Sequence, residues 1–146
     1  MSSGANLADS ASLAPLPGAG LPGAYLYELV VHCGRWGATP EAVLGGSGLT
    51  LDALKDPSAR VPLATCGALV ERARAATAQP GLAFLVGLHM RLSWHGFLGF
   101  AAMSAGTVRE ALEIAEQFSL TRTAAFSLST HVEGAVASLV AVATVV

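Results

Sequence analysis

The segment Arg91-Leu-Ser-Trp94-His95-Gly96-Phe97-Leu-Gly99-Phe100 sets a cation, an imidazole, an indole and two phenyl rings close together. Its two glycines allow close backbone approach. Small-molecule pockets are mostly apolar with a few placed polar groups, and this segment has that make-up. In such a pocket Trp94, His95 and Phe97 would stand at the edge, and Arg91 would hold an anionic group. The same residues also suit a helix–helix joint packed by aromatics. Both readings stay open at this level.

Other chemistry-bearing combinations lack the context their mechanisms need. Gly18-Ala-Gly20-Leu-Pro-Gly23 has GxGxxG spacing, but a dinucleotide fingerprint follows a strand and opens a helix onto a pyrophosphate, and here a Pro-rich segment precedes it. Gly45-Gly-Ser47-Gly48 is no nucleophile elbow, because Gly48 adjoins the serine and no strand leads in. It reads as a helix-breaking turn. His32, His89, His95, His131, Cys33 and Cys66 show no ligand spacing, and a structural zinc needs four convergent ligands. His89 lies on an apolar stripe and reads as a hydrogen-bonded core histidine. Glu110, Glu113 and Glu116 read as the solvated face of a helix. No nucleophile–base pair, metal cluster or cofactor loop emerges. The expectation is a protein that is not an enzyme, with no catalytic residues, no metal site and no cofactor.

The elements that would position these residues follow from composition and period. Of 146 residues, 53% are hydrophobic and 12% charged, enough apolar content for a packed core and too much for a disordered chain. The formal charge is −2, and the eight Lys and Arg are spread from Arg35 to Arg122. Without a basic patch the chain should not grip DNA by itself. The longest nearly apolar run, Ala135 to Val146, is short of the roughly 20 residues a membrane-spanning helix needs. The first basic residue is Arg35, and Pro15, Pro17 and Pro22 interrupt the N-terminus, so no secretory signal is expected here. Cys33 and Cys66 then read as reduced thiols of a cytoplasmic protein.

Residues 1–22 are rich in Ser, Ala, Gly and Pro, the make-up of a mobile arm; the domain is placed at 23–146. Leu26, Leu29, Val30 and Cys33 keep helical spacing. Thr39-Pro40 and Thr50 start short helices, and Asp56-Pro57 breaks the chain. A helix from Pro62 to about Ala78 buries Leu63, Cys66, Leu69, Val70 and Ala73. Another carries Leu82, Leu85, Val86 and His89. Ser93 to Ala105 reads as irregular and very apolar. Thr107-Val-Arg-Glu110 is a capping box that opens a helix burying Val108, Ala111, Leu112, Ala115 and Phe118. Beyond Leu120 the period changes to two, and Glu133-Gly134 separates two strands. The predicted class is α+β: several short helices followed by an antiparallel hairpin. The second strand is apolar on both faces with nothing after it. The expectation is that the domain continues past Val146 or that this edge pairs with another chain.

A family resemblance runs through the same residues. Pro80-Gly81-Leu82, His95-Gly96-Phe97-Leu98-Gly99 and Ala101-Ala-Met-Ser104, continuing to Thr107-Val-Arg-Glu110-Ala111-Leu112, resemble the N-terminal regulatory, arabinose-binding-like domain of AraC-type bacterial transcription regulators. Gly37-Ala-Thr-Pro40-Glu41 and Asp56-Pro57-Ser-Ala-Arg60-Val61-Pro62 fit the same pattern. The resemblance covers roughly Gly23 to Val142; the order and spacing of the motifs carry it, rather than any one of them. It implies an effector-binding or dimerisation domain that precedes a C-terminal pair of helix-turn-helix units, and nothing in this sequence looks like that pair. The implied partners are a small-molecule effector, a second copy of the chain, and DNA only through the C-terminal module. A pure protein–protein interaction module without a ligand is the alternative.

Overall fold

The computed structural model of the chain describes residues 20–123 and 125–143. The remainder of the N-terminal arm, with Gly18 of the GxGxxG spacing, lies outside the described residues. Gly20–Pro22, which composition puts in the arm, form part of the fold. Strand β1 (Leu21–Pro22) pairs antiparallel with β2 (Arg60–Val61). Gly20 at φ 131° makes this possible, since a Cβ there would stand 2.5 Å from the Val61 carbonyl oxygen.

Helix α1 (Gly23–Cys33) buries the stripe its spacing predicts, Leu26, Leu29, Val30 and Cys33. Gly37 ends the following 3-10 turn in the left-handed region, at φ 79°, where glycine carries no Cβ penalty. Helices α2 (Pro40–Leu44) and α3 (Leu51–Lys55) are capped as expected. Thr39 Oγ1 accepts from the Ala42 N–H at 3.3 Å and Thr50 Oγ1 from the Ala53 N–H at 3.1 Å. Between them Gly45–Gly48 form the helix-breaking turn, and the Ser47 hydroxyl donates to the Leu44 carbonyl at 2.6 Å. Helix α4 (Leu63–Thr77) buries Cys66, Leu69 and Ala73. Helix α5 (Leu82–His89) buries Leu82 and Val86. Together these helices enclose one hydrophobic core, in which Val30, Val43, Leu54, Leu69 and Leu82 are almost wholly excluded from water. Each such side chain contributes about 1.5–3 kcal/mol relative to exposure. Burial pushes both core thiols, Cys33 and Cys66, above the ordinary cysteine range.

His89 is a correction. It is hydrogen-bonded, donating from Nδ1 to the Leu85 carbonyl at 2.8 Å and accepting at Nε2 from Arg35 at 2.6 Å, but it is exposed. Helix α5 leaves the core one turn after Val86, so the stripe's last position faces outward.

No buried hydrophobic side chain occurs beyond Val86 among the described residues. The stretch that reads as irregular folds into a 3-10 turn (Leu92–His95) and helix α6 (Phe97–Met103). Gly96, at φ 63° and ψ −141°, joins them. Helix α7 (Val108–Arg122) begins at the capping box: Thr107 Oγ1 accepts from the Glu110 N–H at 3.1 Å. The Glu110 carboxylate accepts from the Gly106 N–H at 2.8 Å, one residue before the cap. Glu116, exposed like its neighbours Glu110 and Glu113, also holds structure, accepting the Thr130 N–H at 2.8 Å.

The buried face of α7 differs from the predicted one. Ala111, Leu112 and Ala115 are half-buried, Val108 and Phe118 are exposed, and Ser119 is buried. The elements packed on α7 are α6, seven residues long, and one strand, β3 (Phe126–Glu133), of the two-stranded ribbon, and they are too narrow to cover both ends of a 15-residue helix. That ribbon is the predicted hairpin. Strand β3 (Phe126–Glu133) pairs antiparallel with β4 (Val136–Ala143), in register from Phe126 opposite Ala143 to Glu133 opposite Val136. Every residue of β4 is exposed. The architecture is α+β. Among the described residues no helix is long and apolar enough to cross a membrane.

Candidate functional site

A cavity of about 170 Å³ lies where α1, the 3-10 turn, α6, α7 and β3 meet. Its walls are mainly apolar, with Leu98, Ala102, Ala115, Phe126 and Leu128. Gly99 lets the wall close. A Cβ there would fall 1.7 Å from the Leu92 carbonyl oxygen, so only glycine allows α6 to fold back onto the 3-10 turn.

Five polar side chains stand among these apolar groups: Tyr25 from α1, His95 from the 3-10 turn, Ser119 and Arg122 from α7, and Thr123 just after it. The Tyr25 hydroxyl lies 2.6 Å from His95 Nδ1. The rings meet edge to face, with centroids 5.4 Å apart. The Arg122 guanidinium lies 5.5 Å from the Tyr25 ring centroid, a cation–π distance. Its Nη2 donates to the Trp94 carbonyl at 2.9 Å. Its Nε is buried and has no hydrogen-bond partner among the described residues. Burial holds the His95 imidazole below its ordinary pKa, and the Arg122 cation adds to that shift. His95 is therefore neutral at pH 7, with one ring nitrogen donating and the other accepting. With the Tyr25 hydroxyl donating to Nδ1, the His95 proton sits on Nε2; with Nδ1–H donating to the hydroxyl, Nε2 is the acceptor.

Arg122 also borders a larger cleft of about 460 Å³, where Lys55, Asp56 and Arg60 face Trp94, Phe97 and Phe100. Three of the four residues singled out in the sequence are thus divided between the two spaces. His95 lines the cavity, while Trp94 and Phe97 line the cleft, Phe97 at 95% exposure. Arg91 is exposed, precedes the 3-10 turn as its N-cap, and is not among the described residues lining either space. Sequence reasoning missed Tyr25 and Arg122. Tyr25 is 70 positions from its partner His95, and Arg122 is 28 from Trp94; no local pattern connects residues so far apart. The one available hint was a cation in the last turn of a capped helix, where the helix dipole favours it.

Comparison with known proteins gives the following. The family described as the arabinose-binding domain of AraC transcription regulators, N-terminal, matches residues 37–144. The ornithine utilization regulator of Pseudomonas aeruginosa is 24% identical over 98 residues, which is 67% of this chain and 29% of the regulator's own length. No solved structure matches the chain.

Proposed function

The chain belongs to the N-terminal arabinose-binding domain family of AraC transcription regulators, and we propose on that footing that it is the sensing part of such a regulator. A small effector in the Tyr25–His95–Arg122 cavity would control an attached DNA-binding module. The observation that carries this reading is the cavity's position at a seam. Tyr25 belongs to a helix of the hydrophobic core, whereas His95 and Arg122 belong to the turn and helix that lead into the hairpin. A ligand that favours one arrangement of this seam shifts the population by its differential affinity, and an attached module reads out that shift.

The ligands suggested by the comparisons fit the cavity poorly. A pentose such as arabinose needs donors and acceptors around its whole rim, and these walls are largely aliphatic and aromatic. Ornithine carries two ammonium groups, and no Asp or Glu lies among the described residues that line the cavity. The test is thermal stabilisation of the chain across a metabolite panel. At least one compound should raise the melting temperature, and Arg122→Gln should remove most of that rise. Trp94→Ala and Arg91→Ala should change it little if the ligand sits in the cavity rather than at the edge the sequence suggested. A panel with no stabilising compound, or a shift unaffected by Arg122→Gln, overturns the reading.

A second reading rests on the exposed apolar strand β4: the domain serves as an interaction module that pairs with a second copy.

A further inference from the structure

We propose that the cavity takes a small monocarboxylate with a compact apolar body, its carboxylate held by the Nε–H of Arg122 and by His95. The inference rests on the sensing reading and specifies its ligand class.

Three observations support it. First, the site offers a charged donor group, and no carboxylate lies among the described residues that line it. Arg122 Nε is a buried donor with no partner among the described residues, although a buried unmet donor is costly and most so on a charged group. Tyr25 occupies Nδ1 of His95, and in the tautomer where the hydroxyl donates, Nε2–H is a second donor. A carboxylate accepts only, and it matches a guanidinium in charge and in planar geometry.

Second, the charge needs balancing. Arg122 is the one charged side chain among the described lining residues. The nearby imidazole stays neutral because of its burial and that same cation. The cavity therefore carries one positive charge and suits a monoanion better than a dianion or an amine.

Third, the size sets the body. A cavity of about 150 Å³ lined by Leu, Ile and Phe holds benzene, and this one is about 170 Å³ with Leu98, Leu128 and Phe126 in its wall. Benzoate and isovalerate are of that scale. Long acyl chains exceed it.

The test is calorimetric titration of the chain with benzoate and isovalerate, each paired with its neutral amide, benzamide and isovaleramide. At least one acid should bind, and its amide should be weaker by roughly 10- to 100-fold, the size of a hydrogen bond to a charged group. This comparison is made on the unaltered protein and does not depend on a variant folding. Arg122→Gln should then abolish the preference for acid over amide, while Arg91→Ala retains it. An amide that binds as tightly as its acid overturns the inference. So does failure of every acid in a chain that is stabilised by some other panel compound, an outcome that leaves the sensing reading standing. A chain that binds no small molecule overturns both.

Discussion

His95 shows how one residue's surroundings decide its chemistry. Its imidazole is displaced downward by burial and by Arg122, while in the unfolded chain it titrates at about 6.5. Between those two values the unfolded state binds more protons, so stability rises with pH across the window. The contribution is complete above about pH 6.5 and is lost as pH falls toward the folded value. Urea melts at a series of pH values should show this slope below neutrality, and His95→Asn should flatten it. An unchanged slope in the variant would assign the titration to another group. Little of this was legible in the sequence. Gly96 and the aromatics beside His95 marked the region, but the cation that tunes the imidazole, Arg122, and the hydroxyl that bonds to it, Tyr25, arrive from distant helices.

The elements divide by how local their causes are. Helices α2, α3 and α7 begin where Thr39, Thr50 and Thr107 place them, because a cap needs only a hydroxyl and an N–H three residues on. Helix α6 could not be read this way. Gly99 lowers its intrinsic propensity, and the reason for glycine at position 99 is the Leu92 carbonyl it packs against. Gly99→Ala should therefore cost about 1–3 kcal/mol, as overpacking does, and lower the melting temperature by several degrees. Gly67→Ala is the control. It lies inside α4 with nothing near the added methyl, and should stabilise by about 0.5–1 kcal/mol. Thermal denaturation of both variants checks the pair; equal effects would mean that the contact at Gly99 is not as close as described.

At the scale of the whole molecule, apolar burial is uneven. The core draws on residues up to Val86, whereas Phe97, Phe100, Phe118, Leu139, Val140 and Val142 are exposed. A free strand edge with apolar side chains invites pairing. Sedimentation velocity should show the apparent mass rising with concentration, and Leu139→Lys with Val140→Lys should hold the chain at monomer mass. A wild-type chain that stays monomeric at every concentration would count against pairing through β4. The sequence by itself determined the helical stripes of the core, the threonine caps, the change of period at the hairpin and the family, because each depends on residues within a turn or two or on motif order along the chain. Tertiary structure alone decided that His95 meets Tyr25 and Arg122 around an apolar cavity, that Arg91 stands apart from it, and that Val108 and Phe118 go uncovered. Those outcomes depend on which surfaces meet in space, and short-range periodicity carries no information about that.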